Sequence, residues 1–168
     1  SRPGMEGSSE MMSNESCPEK PASERWRICS VALLILLVGT LYSNSLDNSF
    51  TNWDDAMIYA NAQVRSLSWE NIQKIFTHQK KATYQPIRVL SYAIDYQFWR
   101  LNPMGYHITN TLLYILTCVM VFHILQLLSS HLRKKAQGDS HFRVALFGSL
   151  LFAVHPVHVE SVAWLAAR

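Results

Sequence analysis

The sequence predicts an all-α, polytopic membrane protein fragment with about three transmembrane helices and interfacial helices in its first external loop. Three observations predict it. Apolar residues make up 49% of the 168 and charged residues 16%, and the apolar ones fall in long runs, not amphipathic periods. The runs at 28–46 and 106–128 approach the ~20 residues that cross a bilayer as a helix. Between them lies a stretch dense in Trp, Tyr and Phe, side chains that gather where membrane meets water. The formal charge of +3 is too small to suggest nucleic acid, and basic residues do not interleave with aromatics in that manner. Cys17, Cys29 and Cys118 have no CxxC spacing and read as ordinary thiols. The chain starts at Ser1 and stops at Arg168 inside a patterned segment, and it is expected to be a piece of something longer.

Residues 1–24 are rich in Ser, Glu, Pro and Met. They cannot bury enough apolar area to offset their ordering entropy, so a disordered cytoplasmic tail is expected. Asn14-Glu15-Ser16 is a formal glycosylation sequon. Residues 25–168 form the membrane part. Arg25-Trp26-Arg27 precedes the first span, 28–46. A cleaved signal peptide is the rival reading; the long preceding tail and the lack of a small-x-small site favour an uncleaved anchor with its basic pair in the cytoplasm.

The external loop, 47–105, holds two expected helices. Ser68 suits an N-cap before Trp69, Ile72, Ile75 and Phe76 on one face. Pro86 suits a first turn before Ile87, Leu90, Ile94 and Phe98. Amphipathic helices beside a span lie in the interface. His78, Lys80, Lys81 and Arg88 read as solvated charges or as an attraction for an anionic lipid headgroup or phosphate. In the second span, 106–128, His107, Asn110 and Thr111 share a helical face suited to bonding neighbouring helices or facing a substrate. His123 reads as a packing residue. The loop 129–141 carries the basic run His131 to Lys135, as cytoplasmic connections do. A third apolar run, 142–154, is short for a crossing, and His155-Pro156 interrupts it. Residues 155–168 then return to the external side.

The candidate chemistry centres on Asn52-Trp53-Asp54-Asp55. Adjacent carboxylates at an aromatic boundary act as a base or hold a cation; the plainer reading is that they cap the following helix. The topology brings His155-Pro156-Val157-His158-Val159-Glu160 to the same face. Buried charges and imidazoles near hydrocarbon need one another or a wet cavity. A side chain of His155, His158 or Glu160 is therefore expected within ~10 Å, about a Debye length, of an Asp54 or Asp55 carboxylate. His107 or Asn110 should line the same pocket.

These blocks, together with Ser68-Trp69-Glu70-Asn71-Ile72, Tyr84-Gln85-Pro86, Leu90-Ser91-Tyr92 and Gly105-Tyr106-His107-Ile108-Thr109-Asn110, resemble the amino-terminal membrane part of the transmembrane and tetratricopeptide-repeat proteins. The resemblance covers nearly everything from Leu46 to Arg168. It implies a glycosyltransferase of the GT-C class, moving a sugar, often mannose, from a polyprenyl phosphate carrier to Ser or Thr hydroxyls of an acceptor protein. The face would be lumenal or periplasmic, in the endoplasmic reticulum of a eukaryote or the inner membrane of a bacterium. Membrane lipid, the polyprenyl-phosphate-sugar donor and the acceptor protein are the implied partners, and no nucleic acid.

The family's catalytic base falls on Asp54 or Asp55, with Asp54 preferred. A divalent cation (Mn or Mg) held partly by Asp55 would serve the phosphate. His155, His158 and Glu160, with His107 and Arg88, would contact the donor phosphate or orient the acidic pair. The chain departs from the family in having no tetratricopeptide repeat and few of the spans, so this fragment is expected to be inactive alone. Two other classes stand beside this reading: a non-catalytic membrane scaffold with Asp54 and Asp55 as caps, and a metalloenzyme with His155, His158 and Glu160 as a zinc or iron triad.

Overall fold

The computed structural model describes residues 22–51, 54–77, 84–132 and 140–168, which are helical with no strand among them. Three helices form an antiparallel bundle: α1 (Ala22–Tyr42), α5 (Pro103–Leu132) and α6 (Ser140–Ala153). Four shorter helices, α2 (Ala56–Tyr59), α3 (Trp69–Thr77), α4 (Pro86–Trp99) and α7 (His158–Ala163), cap one end with three short 3₁₀ turns.

The bundle core joins Leu34, Val38 and Tyr42 of α1 to Tyr114, Cys118 and Phe122 of α5 and Phe142, Ala145 and Ala153 of α6. Leu36, Leu116, Leu127 and Phe147 point outward and are more than half exposed. Apolar residues on both faces are what lipid demands and water penalises. Hydroxyls inside these runs bond back along their own helix, except the buried Thr111 hydroxyl of α5, which has no partner. Ser30 donates to the Trp26 carbonyl (2.8 Å) and Thr40 to the Leu36 carbonyl (2.8 Å), each one turn back along its own helix.

Two helical segments, Glu24–Asp47 and Pro103–Leu132, are long and apolar enough to cross a membrane. The third, α6, has 14 residues and so rises roughly 21 Å, short of the ~30 Å hydrocarbon layer. Two of the three expected spans therefore meet the length requirement. The cause of the shortfall is Pro156, which offers no amide hydrogen to the Phe152 carbonyl one turn earlier. The Phe152 carbonyl takes the His155 amide instead (3.2 Å), and the hydroxyl of Tyr114 of α5 reaches the carbonyls of Phe152 (3.1 Å) and Ala153 (3.2 Å). Tyr42 of α1 meets the same Tyr114 ring edge-on at 5.5 Å. The end of α1, the first turns of α5 and the end of α6 thus lie at one end of the bundle.

The cap is built there around a second core of Ile58, Val64, Tyr92, Tyr106 and Leu165, flanked by Phe50, Val89 and Tyr96. Its local signals match the expectations. The Ser68 hydroxyl accepts from the Asn71 amide (3.3 Å) at the start of α3, and Pro86 opens α4. Ile75 is buried, whereas Trp69 and Phe76 of the same apolar face remain exposed, as do Ile87 and Phe98 of α4. Such half-covered faces suit helices lying in an interface. The tail with Asn14, the Asn52-Trp53 pair, His78, Lys80, Lys81 and the Arg133 to Lys135 run lie outside the described residues.

Candidate functional site

Of the two adjacent carboxylates, Asp54 is exposed and Asp55 is buried. Asp55 occupies the N-cap position of α2, yet its side chain makes no capping bond. Its backbone carbonyl starts the helix, accepting from the amides of Ile58 (2.8 Å) and Tyr59 (3.2 Å). The carboxylate turns back instead. Oδ2 accepts from the Thr51 amide (2.6 Å) and the Thr51 hydroxyl (2.9 Å), while Oδ1 is buried with no partner in the protein. Two donors on one oxygen fix the orientation and leave the other oxygen free. The capping reading thus fits the backbone of Asp55 and not its side chain.

His107, on the second turn of α5, is fully buried; its ring nitrogens make no close hydrogen bond, and the Asn48 backbone is the hydrogen-bonding group that faces them. It lies near enough to Asp55 to feel the carboxylate's charge. Arg88 of α4 gives one terminal N–H to the Ala166 carbonyl (3.1 Å) and another to the Met57 sulfur (3.2 Å); its Nε is buried and unpartnered. It is therefore a stitch between segments whose Nε–H is left unpartnered, not a solvated charge. Between these groups stands Tyr92, whose hydroxyl donates to the Leu165 carbonyl (2.9 Å). Burial pushes its phenol above the ordinary range against the pull of Arg168 and Arg88, with the Asp55 carboxylate adding to the rise. Tyr92 consequently stays a neutral donor among charged neighbours.

The carboxy-terminal block divides. Glu160 lines an open cleft of about 390 Å³ with Thr51, Val159, Ala163 and Trp164. Thr51 is also the residue that holds Asp55, so Glu160 and the Asp55 loop face one cleft. His155 is spent locally, its Nδ1 accepting from the Val157 amide (3.2 Å) where Pro156 breaks the chain. His158 packs on the rings of Phe152 (4.3 Å) and Tyr114 (5.3 Å). His155, His158 and Glu160 do not form a metal triad, and no group of three His, Cys, Asp or Glu among the described residues is arranged to hold a metal. Neither His107 nor Asn110 lines this cleft: Asn110 of α5 lines a separate, smaller one with Tyr114, Ser161 and Arg168, and its amide nitrogen reaches the carbonyls of Val162 and Trp164, each at 3.4 Å.

Sequence reasoning passed over Arg168 and Asp95. Their ion pair closes at 2.6 Å, with both side chains nearly buried. Thr109 donates to the other Asp95 oxygen (2.9 Å). Burial pushes the Asp95 carboxyl up, opposed by the Arg168 guanidinium and the Thr109 hydroxyl. The only local hint was an acidic residue on the buried side of an amphipathic helix.

The chain is 29% identical over 139 residues to "Protein O-mannosyl-transferase TMTC4" of Mus musculus, covering 76% of this chain and 19% of the relative. It is 34% identical over 103 residues to "Protein O-mannosyl-transferase Tmtc3" of Drosophila melanogaster, covering 54% of this chain and 11% of the relative. With "Protein O-mannosyl-transferase Tmtc1" of the same fly it shares 30% identity over 143 residues, covering 79% and 15%. Its homologues are TMTC protein O-mannosyl-transferases. The chain spans a fifth or less of the length of these TMTC relatives. No family profile and no solved structure matches it.

Proposed function

We propose that this chain supplies the acceptor-activating end of a membrane protein O-mannosyl-transferase, with Asp55 as the general base. The observation that carries the reading is the buried Asp55 carboxylate, its Oδ1 unpartnered and its Oδ2 clamped by Thr51, a residue that lines an open cleft. Oδ1 takes the proton of a Ser or Thr hydroxyl of the acceptor protein. The hydroxyl oxygen then bonds to the sugar's anomeric carbon as the bond from that carbon to the carrier's phosphate oxygen breaks, and the polyprenyl phosphate leaves with its negative charge. The sugar is mannose and the face is lumenal, or periplasmic in a bacterium.

Arg88, through its spare Nε–H, is placed to meet the departing phosphate. His107, buried close to Asp55 and facing the Asn48 backbone, is placed to hold a substrate hydroxyl. Glu160 forms the opposite wall; a carboxylate repels a phosphate, so its part is to orient the acceptor unless a cation intervenes. For manganese or magnesium, Asp55 offers one oxygen and Glu160 a second, too few for a shell built by the protein. The donor phosphate and water would have to complete it, and no step here depends on it.

The test uses the full-length protein and a polyprenyl-phosphate-mannose donor. Asp55→Asn removes the proton acceptor while Oδ2 can still be served by Thr51. Transfer should fall by ~10²–10⁴-fold, the usual contribution of a general base. Asp54→Asn, altering an exposed carboxylate, should cost less. Full transfer by both variants sinks the base assignment and leaves the scaffold reading in its place.

A further inference from the structure

An arginine in a polar block next to a phosphate-leaving site invites the view that it binds the phosphate. The contacts of Arg168 argue otherwise. Its Nε donates to the Asn110 side-chain oxygen (2.7 Å). Nη1 pairs with Asp95 (2.6 Å) and reaches the Ser91 hydroxyl (3.2 Å). Nη2 reaches the Tyr106 carbonyl (3.4 Å). The flat face of the guanidinium lies 4.9 Å from the centre of the Tyr92 ring. Every nitrogen is engaged and one face is covered, so the fork has no donor pair left for a phosphate.

What these contacts do is anchor the end of the segment that carries Glu160. Along that segment Val162, Trp164, Leu165 and Ala166 present carbonyls to Asn110, Tyr92 and Arg88. Backbone carbonyls accept from any suitably placed donor and do not select a register. The ion pair is the one contact in this set made by opposite charges, and Asp95 can satisfy it at one position only. A buried charged pair used to fix register is the best-attested role for such pairs.

We propose that Arg168 and Asp95 are positioning residues: together they lock residues 158–168 onto α4 and α5, and so hold the Glu160 wall of the cleft opposite the Thr51–Asp55 loop. The proposal builds on the cleft being the acceptor site, but the locking itself stands apart from any transfer activity.

The experiment measures the lock directly. In a cysteine-free full-length protein in lipid nanodiscs, spin labels replace Val157 at the start of α7 and Ile87 on α4, both well exposed and outside the cleft. Their separation is read by double electron–electron resonance. The native pair should give a single narrow distance. Arg168→Gln and Asp95→Asn each leave a buried charge unpaired and should lose it, giving a broad distribution. Arg168→Lys should lose it too, since a point charge cannot reproduce the fork. The double variant Asp95→Asn/Arg168→Gln, whose neutral amides can bond each other, should regain a narrow distance. Transfer assays on the same proteins should show kcat falling in the single variants with donor KM unchanged. A narrow distance retained in Arg168→Gln overturns the proposal, as does a double variant no narrower than the singles. So does a rise in donor KM at unaltered distance, which would make Arg168 a phosphate ligand after all.

Discussion

Gly105 gives the sharpest stability test. It lies in the first turn of α5, where the chain reverses out of α4. A β-carbon added there would stand 2.1 Å from Cγ, 2.3 Å from Cδ2 and 2.6 Å from Cβ of Trp99. Carbon atoms pack at ~3.5–4.0 Å. Rotating the indole relieves the first two clashes and leaves the third, because Cβ is fixed by the backbone whatever the rotamer. The α4–α5 corner must therefore move, and it is already held by Arg100 at φ 54°, a left-handed conformation that disfavours a side chain. Overpacking costs ~1–3 kcal/mol and sometimes more. Gly105→Ala should reach the upper part of that range, roughly a hundredfold in the folding equilibrium at 1.4 kcal/mol per factor of ten.

A thiol-reactive fluorophore can follow unfolding through Cys118, which is buried, once Cys17 and Cys29 are replaced by Ser. Trp99→Ala/Gly105→Ala should recover only part of the loss, and Trp99→Gly/Gly105→Ala more. If Gly105→Ala melts with the native protein, or if Trp99→Ala alone cures it, the fixed Cβ contact is not the cause.

Tyr114→Phe should destabilise the chain by ~1–3 kcal/mol in the same assay, because the Ala153 carbonyl loses its donor while the Phe152 carbonyl keeps the His155 amide; an unchanged melt would show that the Ala153 carbonyl finds another partner. Burial holds the Asp95 carboxyl above its ordinary range. The stability linked to its proton is thus complete below that range and is lost as pH rises through the folded value, so Asp95→Asn should flatten the stability profile just above about pH 4. A slope kept by the variant would assign it to another group. With Arg25 and Arg27 ahead of the first span, the amino terminus should face the cytoplasm. Asn14 should then carry no glycan after expression in cells with lumenal glycosylation, and a glycan found there would reverse the orientation.

The elements with strong local chemistry were legible. Ser68 and Pro86 announce the starts of α3 and α4 because a cap and a first-turn proline act within a few residues. The two long spans follow from run length alone. The site was legible as a neighbourhood and not as roles. Asp54 and Asp55 are adjacent and chemically identical in sequence, and only packing of the cap over α2 buries one and exposes the other. A preference for Asp54 from sequence has no such information to draw on; Asp55 is the one that packing buries and Thr51 holds. His155 and His158 drew attention as potential ligands, yet a broken helix end and two aromatic rings absorb them. Arg88 looked solvated and Arg168 incidental because their partners, Ala166 and Ser91, lie 78 and 77 residues away, beyond the reach of any local pattern.

The cap's core also has a temporal meaning. Ile58 and Val64 precede the second span, Tyr92 and Tyr106 flank its entry, and Leu165 follows the third helix. Ribosomes add about 5–20 residues per second, so roughly a hundred residues and several seconds separate Ile58 from Leu165 as the chain emerges. Throughout that interval the Asp55 loop waits beside the newly inserted α1 without the segment that completes its surroundings. A membrane chaperone or a neighbouring lipid has time to engage the uncovered apolar residues, and arrest of translation between the second span and residue 165 would leave the carboxylate open to water.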